Sequence, residues 1–512
     1  MSSDRPALQG LGRTSDWSAV RVVVAGFGVS GYAAADNLTF LGARVTALDE
    51  SEAGDRRERA TLLESLGATV RLGPGSTTVL PDDVDLVVTS PGWSPSTPLL
   101  AEAAARGVPT WGEVELAWRL RDPASPAPWL AVTGTNGKTT TVQMLEAMLR
   151  AAGLRTVAAG NVGLPIVQAV MDPQPWDVLA VELSSFQLHY SSSVRAQSAA
   201  VLNVADDHLD WYAHYGDERA ARAAYVADKG RVYAGVERAC VYNVADPVTE
   251  QLVREADVEE GARAIGFTLG TPAVGMLGLV DDVLADRAFV EDRQTSAAEL
   301  CTVGDLGSPA PHYVADALAA AALARSHGVS TAAVRDALRG FRPGGHRIEV
   351  VAEIAGVTWV DDSKATNPHA ALASLRGYDP VVWVAGGLAK GARFDDLVLA
   401  ARDRLRGVVL LGRDAPVIRE SLSRHAPDVP VIDVAAGETA GVGPMDRVVG
   451  AAATLAHPGD TVLLAPGCAS MDMFTDYGAR GDAFAAAVQR RRRQGEHQGP
   501  GVGEAVEDQE DR

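Results

Sequence analysis

Residues 129–141, WLAVTGTNGKTTT, constrain the chain more than any other stretch. The apolar run from Trp129 to Val132 reads as a buried strand. It breaks into the small-residue loop Thr133-Gly134-Thr135-Asn136-Gly137, and Lys138 then opens a helix, KTTTVQMLEAMLRAAG. Strand, glycine loop and helix make a phosphate cradle: glycines let backbone N–H groups approach phosphate oxygens, and the helix N-terminus adds partial positive charge. In such a loop Lys138 reaches the β- and γ-phosphates, and the Thr139 hydroxyl faces Mg²⁺. Val132 stands where the commonest form of the loop carries its first glycine. A strand that feeds a helix in this way belongs to a parallel α/β sheet.

At 512 residues the chain is too long for one core, and about three domains are expected. The formal charge of −20, from 46 Lys+Arg against 66 Asp+Glu, argues against nucleic-acid or anionic-membrane binding, which needs a basic face. An anionic substrate must therefore meet a local basic site. Cys240, Cys301 and Cys468 are far apart in sequence, which suits a reducing cytosol without disulfides or a zinc site. No apolar run reaches about 18 residues. The N-terminus MSSDRPALQG has no signal-peptide core. A cytoplasmic protein that does not enter the membrane is expected.

Residues 1–17 are small and polar, suggesting a flexible arm. RVVVAGFGVSG then gives a strand followed by Gly26-x-Gly28-x-x-Gly31, a helix closing at Gly42 and a second strand, RVTALDE, ending near Asp49. This is the dinucleotide-binding pattern, with an acid suited to a ribose hydroxyl. It is also compatible with a Rossmann-like domain whose glycines serve packing. A further strand, DLVVTS, ends at Ser90-Pro91-Gly92, and WGEVELAWRL reads as helical. Three prolines between Asp122 and Pro128 mark a linker. Beyond the phosphate loop, strands and helices alternate through RTVAAG, DVLAVELSSFQL and SAAVLNVADDHLDWY, predicting a parallel sheet covered on both faces. Short irregular strands are expected near 270–305, then two helices, and Arg342-Pro343-Gly344-Gly345 breaks the chain again. The strands RIEVVAEI, VTWVDDS, PVVWVAGG, GVVLLG, VPVIDV and TVLLAPG make a second doubly wound sheet. The expected divisions are 1–17, 18–120, 121–341 and 342–495, with a disordered acidic tail over 496–512.

Several polar clusters interrupt these apolar runs. Glu182 ends a buried strand, where a carboxylate can face the phosphate loop and hold Mg²⁺. His208, in NVADDHLD, reads equally as a second metal ligand, a phosphate-orienting group or part of a helix-capping loop. Lys229, taken alone, looks like a solvated helix lysine. Asp361-Asp362-Ser363-Lys364-Ala365-Thr366-Asn367 and Lys390 on a Gly-Gly turn lie at strand ends, as does the Cys468-Ala469-Ser470 turn. No base is evident beside Cys468, which argues against a catalytic thiol.

TGTNGKTT, NVG, ELSSFQL, NVADDHLD, GHRIEVV, DDSKATN, the Gly-Gly-x-x-Lys turn and PGCASMDMF, in this order, resemble the Mur ligase family, ATP-dependent enzymes that build the peptidoglycan stem peptide. The resemblance implies an N-terminal Rossmann-like domain for a UDP-sugar, a central ATPase-like sheet, and a C-terminal Rossmann-like domain for ATP and the amino acid. It reassigns the glycine fingerprint from dinucleotide to UDP. Val29, Ser30 and Asp49 match uridine contacts, with Ser90 and Gly92 nearby, and Asn161, Gln187 and His208 match positions for the muramoyl peptide or its metal. Gly134, Thr135, Asn136, Gly137, Lys138, Thr139, Thr140, Arg347 and Asp361 match ATP positions. Thr139, Glu182 and His208 match the metal positions of a two-Mg²⁺ site, and Lys229 matches a lysine carried as a carbamate beside the second ion. Lys138, Lys229 and His208 are the implied catalytic groups. Lys364, Thr366, Lys390, Ser470 and Tyr477 match the amino-acid pocket.

Two departures from the family pattern matter. His312-Tyr313-Val314-Ala315-Asp316 stands where relatives show His-Asn-x-x-Asn against adenine. The Asp-Asn-Pro-Arg stretch of the diaminopimelate- or lysine-adding branch is absent, favouring the branch that adds D-glutamate. The implied partners are UDP-N-acetylmuramoyl-L-alanine, D-glutamate and ATP, with no nucleic acid and no membrane, on a monomer. The rival readings are another ligase of the family, a folate polyglutamylating enzyme, and a nicotinamide-binding oxidoreductase. The last leaves the phosphate loop unexplained.

Overall fold

A computed structural model describes residues 8–342, 344–434 and 443–497, with side chains through residue 494. The chain divides after Arg342 into two compact units. Within the described residues the first unit carries two sheets and the second carries one.

The first sheet has five parallel strands. They run edge to edge as Thr69–Leu72, Arg44–Asp49, Arg21–Ala25, Leu86–Thr89 and Thr110–Gly112. Strand order reverses between Arg21–Ala25 and Leu86–Thr89, and it is outside the carboxyl ends of such a pair that α/β sheets bind ligands. Gly26 and Ser90 sit at those two ends.

The second sheet has nine strands: Ala298–Thr302, Val283–Asp286, Met276–Val280, Arg263–Phe267, Ala239–Asn243, Ser198–Val201, Trp129–Thr133, Val178–Glu182 and Thr156–Gly160. Every residue of Trp129–Thr133 and Val178–Glu182 is buried, as expected of strands covered on both faces. The sheet is not parallel throughout. Met276–Val280, Val283–Asp286 and Ala298–Thr302 pair antiparallel, joined by a tight turn at 281–282 and a longer loop over 287–297, neither of which holds the crossover helix a parallel pair needs. One core cluster joins the faces of these two sheets, from Trp17 and Val24 to Trp129 and Val181, which explains why they form a single compact unit.

In the second unit the order is Glu349–Ile354, Val357–Asp361, Thr461–Leu464, Val381–Gly386, Leu405–Leu411 and Val431–Asp433, parallel except for the antiparallel edge strand Glu349–Ile354. Among the described residues no helix is long and apolar enough to cross a membrane.

Three local expectations change. Residues 8–17 are not loose: Trp17 is fully buried, its indole N–H donates to Gly12 O at 3.0 Å, and Arg13 donates to Val170 O at 3.1 Å. The remainder of the arm, 1–7, lies outside the described residues. WGEVELAWRL is not wholly helical. Trp111 and Gly112 complete an edge strand, and the helix is Glu113–Arg119. The last helix spans Tyr477–His497, so it enters the expected tail, whose remaining residues are not described.

Candidate active site

The phosphate loop lies between the strand Trp129–Thr133 and the helix Lys138–Ala151. Its shape depends on two glycines with positive φ, Gly134 at 156° and Gly137 at 82°, and Gly137 is the helix N-cap. A β-carbon on Gly137 would lie 2.2 Å from Asp316 Oδ1, so the helix Pro311–His327 presses directly on the loop. Asn203 clasps it from the neighbouring strand end. Its Oδ1 accepts from Asn136 N at 2.9 Å, and its amide donates to Asn136 O at 3.1 Å. The Thr135 hydroxyl is shared with Ala205 and Tyr225, 3.0 Å from the Ala205 carbonyl and 2.9 Å from the Tyr225 hydroxyl. Thr135 N also donates to Asn203 O at 2.9 Å, so the loop is held firmly at the N-terminus of the helix Lys138–Ala151.

Two ammonium groups meet at this loop. Lys138 Nζ donates to Gly134 O at 3.0 Å and Thr135 O at 2.9 Å, and Lys229 Nζ donates to Gly134 O at 2.8 Å. Lys229 is no solvated helix lysine. It is 2% exposed, on the inner face of Glu218–Gly230, and lies over the Tyr225 ring at 4.5 Å. Burial, and then the charge of Lys138, push its amine well below the ordinary lysine value, with Asp207 opposing.

Glu182 ends its strand in register with Val132 and Gly160, at the same sheet edge as the loop. It is 1% exposed. Oε1 accepts from Asn161 Nδ2 at 2.8 Å, while Oε2 is buried without a partner. A buried carboxylate oxygen left open beside a phosphate loop fits a hard cation that takes few protein oxygens and keeps phosphate oxygens as its other ligands. Among the described residues there is no group of three or more His/Cys/Asp/Glu placed to hold a metal ion. His208 has φ 54° and lies 3.7 Å from Asp207, edge-on to Phe186. Gln187 takes a local role: it completes a capping box with Ser184 at the start of the helix Ser185–His189.

At the first sheet the three fingerprint glycines differ. A β-carbon on Gly31 would lie 1.9 Å from Gly26 O, and one on Gly26 would lie 2.6 Å from Ser90 Oγ. Gly28 has open space where a side chain would be. Asp49 braces the turn with both oxygens, accepting from Phe27 N at 2.6 Å and Ser51 N at 2.8 Å. Val29 is 63% exposed at the mouth, Ser30 follows it on the helix Val29–Phe40, and Gly92 is exposed beside Ser90.

In the second unit Asp361 ends the strand Val357–Asp361. It accepts from Ser363 N at 2.9 Å and pairs with His346 Nδ1 at 2.7 Å, while burial raises its carboxyl above the usual range. Arg347 sits between His346 and Ile348, both with positive φ, a strained arrangement for a β-branched residue. Lys364 Nζ lies 3.9 Å over the Tyr477 ring. Lys390, φ 50°, is exposed, Thr366 is half-buried, and Ser470 is 4% exposed. Arg480 has no counterpart in the sequence reading. It is 1% exposed and donates to Ser363 Oγ, Ser363 O and Cys468 O at 2.9, 2.9 and 3.0 Å, tying two site loops together. In sequence it is one arginine in an arginine-rich helix, with no pattern to mark it. Cys240, Cys301 and Cys468 are free and buried, and burial lifts the Cys468 thiol to about 12, which disfavours a nucleophilic thiolate.

Family models match three successive regions: the Mur ligase MurD-like N-terminal domain over residues 20–112, the Mur ligase middle domain over 132–324, and the Mur ligase glutamate ligase domain over 346–468. A UDP-N-acetylmuramoylalanine–D-glutamate ligase of Streptomyces coelicolor is 60% identical over 93% of this chain and 98% of its own. The chain belongs to the Mur ligase family. A Thermobifida fusca relative of the same name is 56% identical over 91% of this chain and 98% of its own. The pseudomurein peptide ligase type C of Methanothermus fervidus has the same Mur ligase fold, with a TM-score of 0.55 at 16% identity, covering 92% of this chain and all of that one.

Proposed function

We propose that this Mur ligase joins D-glutamate to the L-alanine carboxyl group of UDP-N-acetylmuramoyl-L-alanine at the expense of ATP, in cytoplasmic peptidoglycan precursor synthesis. The observation that carries this reading is the near-full-length identity with D-glutamate ligases, joined to a phosphate loop that shares its sheet edge with a buried, unpartnered carboxylate oxygen.

A carboxylate is a poor acceptor for an amine, so the substrate carboxylate first attacks the γ-phosphate of ATP, releasing ADP and giving an acyl phosphate. The amine of D-glutamate then attacks the acyl carbon, and phosphate leaves as the amide forms. Two anions must meet in the first step, and electrostatic compensation dominates such transfers. Lys138 supplies a fixed cation once phosphate draws it from the Gly134 and Thr135 carbonyls, and the helix N-terminus at 137–139 orients the β- and γ-phosphates.

Glu182 and Thr139 would hold one Mg²⁺, and His208 with a carbamate on Lys229 a second; bound there, the ions offset phosphate charge. The lowered basicity of Lys229 supports the carbamate, because only a neutral amine adds CO₂, forming the N–C bond and releasing a proton. Arg347 and Asp361 contact ATP, and Lys364, Thr366, Lys390, Ser470 and Tyr477 hold D-glutamate. Val29, Ser30, Asp49, Ser90 and Gly92 hold the uridine diphosphate end, with Asn161 and Gln187 toward the muramoyl peptide. The enzyme acts as a monomer.

Heavy-oxygen label in the L-alanine carboxylate tests this order of steps. One labelled oxygen is expected in the released phosphate, and unlabelled phosphate would exclude the acyl phosphate.

A further inference from the structure

A second set of contacts ties the phosphate-loop edge to the first sheet. The chain leaves Glu182, forms the short helix Ser185–His189, and continues through Tyr190 to Ser193. Here it meets two parts of the first sheet. Tyr190 O accepts from Gly112 N at 3.1 Å, and the Tyr190 hydroxyl donates to Trp93 O at 2.9 Å. Trp93 belongs to the turn that carries Ser90 and Gly92, and its N–H donates to Ser90 O at 3.3 Å. Two residues further on, Glu115 anchors the segment. Fully buried, it accepts from Ser192 N at 2.8 Å, Ser193 N at 2.9 Å, Ser193 Oγ at 2.7 Å and Arg119 Nε at 2.8 Å. Arg119 closes the group with a 2.9 Å bond to Ser193 Oγ. A buried carboxylate with this many donors is a rigid fixture.

We infer that Tyr190 is a positioning residue for the UDP-sugar: its hydroxyl holds the Ser90–Trp93 turn in register with the Glu182 edge, on a base fixed by Glu115. The inference rests on the UDP-sugar reading of that turn. The distance from uridine to the reacting carboxylate is set by the substrate, so the enzyme must fix the distance between the turn and the phosphate loop. Tyr190 bridges that distance with one hydrogen bond and touches neither end of the reaction. Loss of such a bond weakens productive binding about fivefold.

Tyr190→Phe removes only the hydroxyl. The expected result is a KM for UDP-N-acetylmuramoyl-L-alanine raised about fivefold, with the KM for ATP and kcat near wild type. Glu115→Gln should shift the same KM in the same direction. In substrate-free protein, Tyr190→Phe should also speed amide exchange across 90–94. An unchanged sugar KM, or a parallel rise in the ATP KM, overturns the inference. If the wild-type enzyme itself does not use the UDP-sugar, the functional reading fails instead. The exchange measurement then decides the strut by itself, and unchanged exchange overturns it.

Discussion

At the scale of single residues, burial alone does not tell one shifted charge from another. Lys229 and Glu113 are both buried and both shifted, yet their surroundings differ. Lys229 faces the phosphate loop and a second ammonium, whereas Glu113 faces a helix start: its Oε1 accepts from Val167 N at 2.8 Å and its Oε2 is unpartnered. On the carbamate reading, Lys229→Ala is expected to be nearly inactive and to recover in part with added short carboxylates; full unaided turnover would exclude that role. For Glu113, burial lifts the carboxyl to about 7 from 4.5. The folded state therefore keeps its proton where the unfolded chain has lost it, and that stability is full below about pH 4.5 and is lost as pH rises through about 7. Glu113→Gln should show no such loss, its advantage growing across that window to about 3 kcal/mol. Denaturant unfolding at several pH values checks this, and a pH-independent difference would contradict it.

At the scale of elements, the sequence pattern and the fold agree where glycine or a buried strand dictates the answer. The run WLAV, the loop behind it and the helix from Lys138 were legible because each step uses a different residue class. Glu182 was legible because a lone charge in an apolar strand needs a reason. Lys229 was legible only through the family resemblance, since helical spacing alone does not say which face is covered. Arg480 and Tyr190 were hidden for the same reason: their partners are backbone carbonyls of distant loops, which leave no trace in local composition. The glycine fingerprint divides along these lines. Gly31 packs against the Gly26 carbonyl, so Gly31→Ala should destabilise the protein by about 2 kcal/mol or more in thermal unfolding. Gly28 has room, so Gly28→Ala should leave stability within about 0.5 kcal/mol; on the UDP-sugar reading it should raise the KM for the UDP-sugar, the added methyl then standing in the way of the diphosphate. Equal effects of the two changes would return the fingerprint to a packing role.

At the scale of the whole molecule, three sheets carry three kinds of strand-end site: a glycine turn, a phosphate loop, and a pair of loops tied by one buried arginine. On the proposed reading, the acidic chain meets its anionic substrates through these local devices, not through its overall field. The sequence pointed to all three sheets, while the antiparallel edges, the docked residues 8–17 and the joined core of the first two sheets needed the tertiary structure. On the proposed reading this ligase consumes ATP only to couple one amino acid to one sugar nucleotide. The direct measurement is phosphate release with UDP-N-acetylmuramoyl-L-alanine and ATP, comparing D-glutamate with L-glutamate, L-lysine, diaminopimelate and L-alanine. Release only with D-glutamate, together with one amide product, is predicted. Equal release with diaminopimelate or L-alanine, or release without the sugar nucleotide, would contradict it.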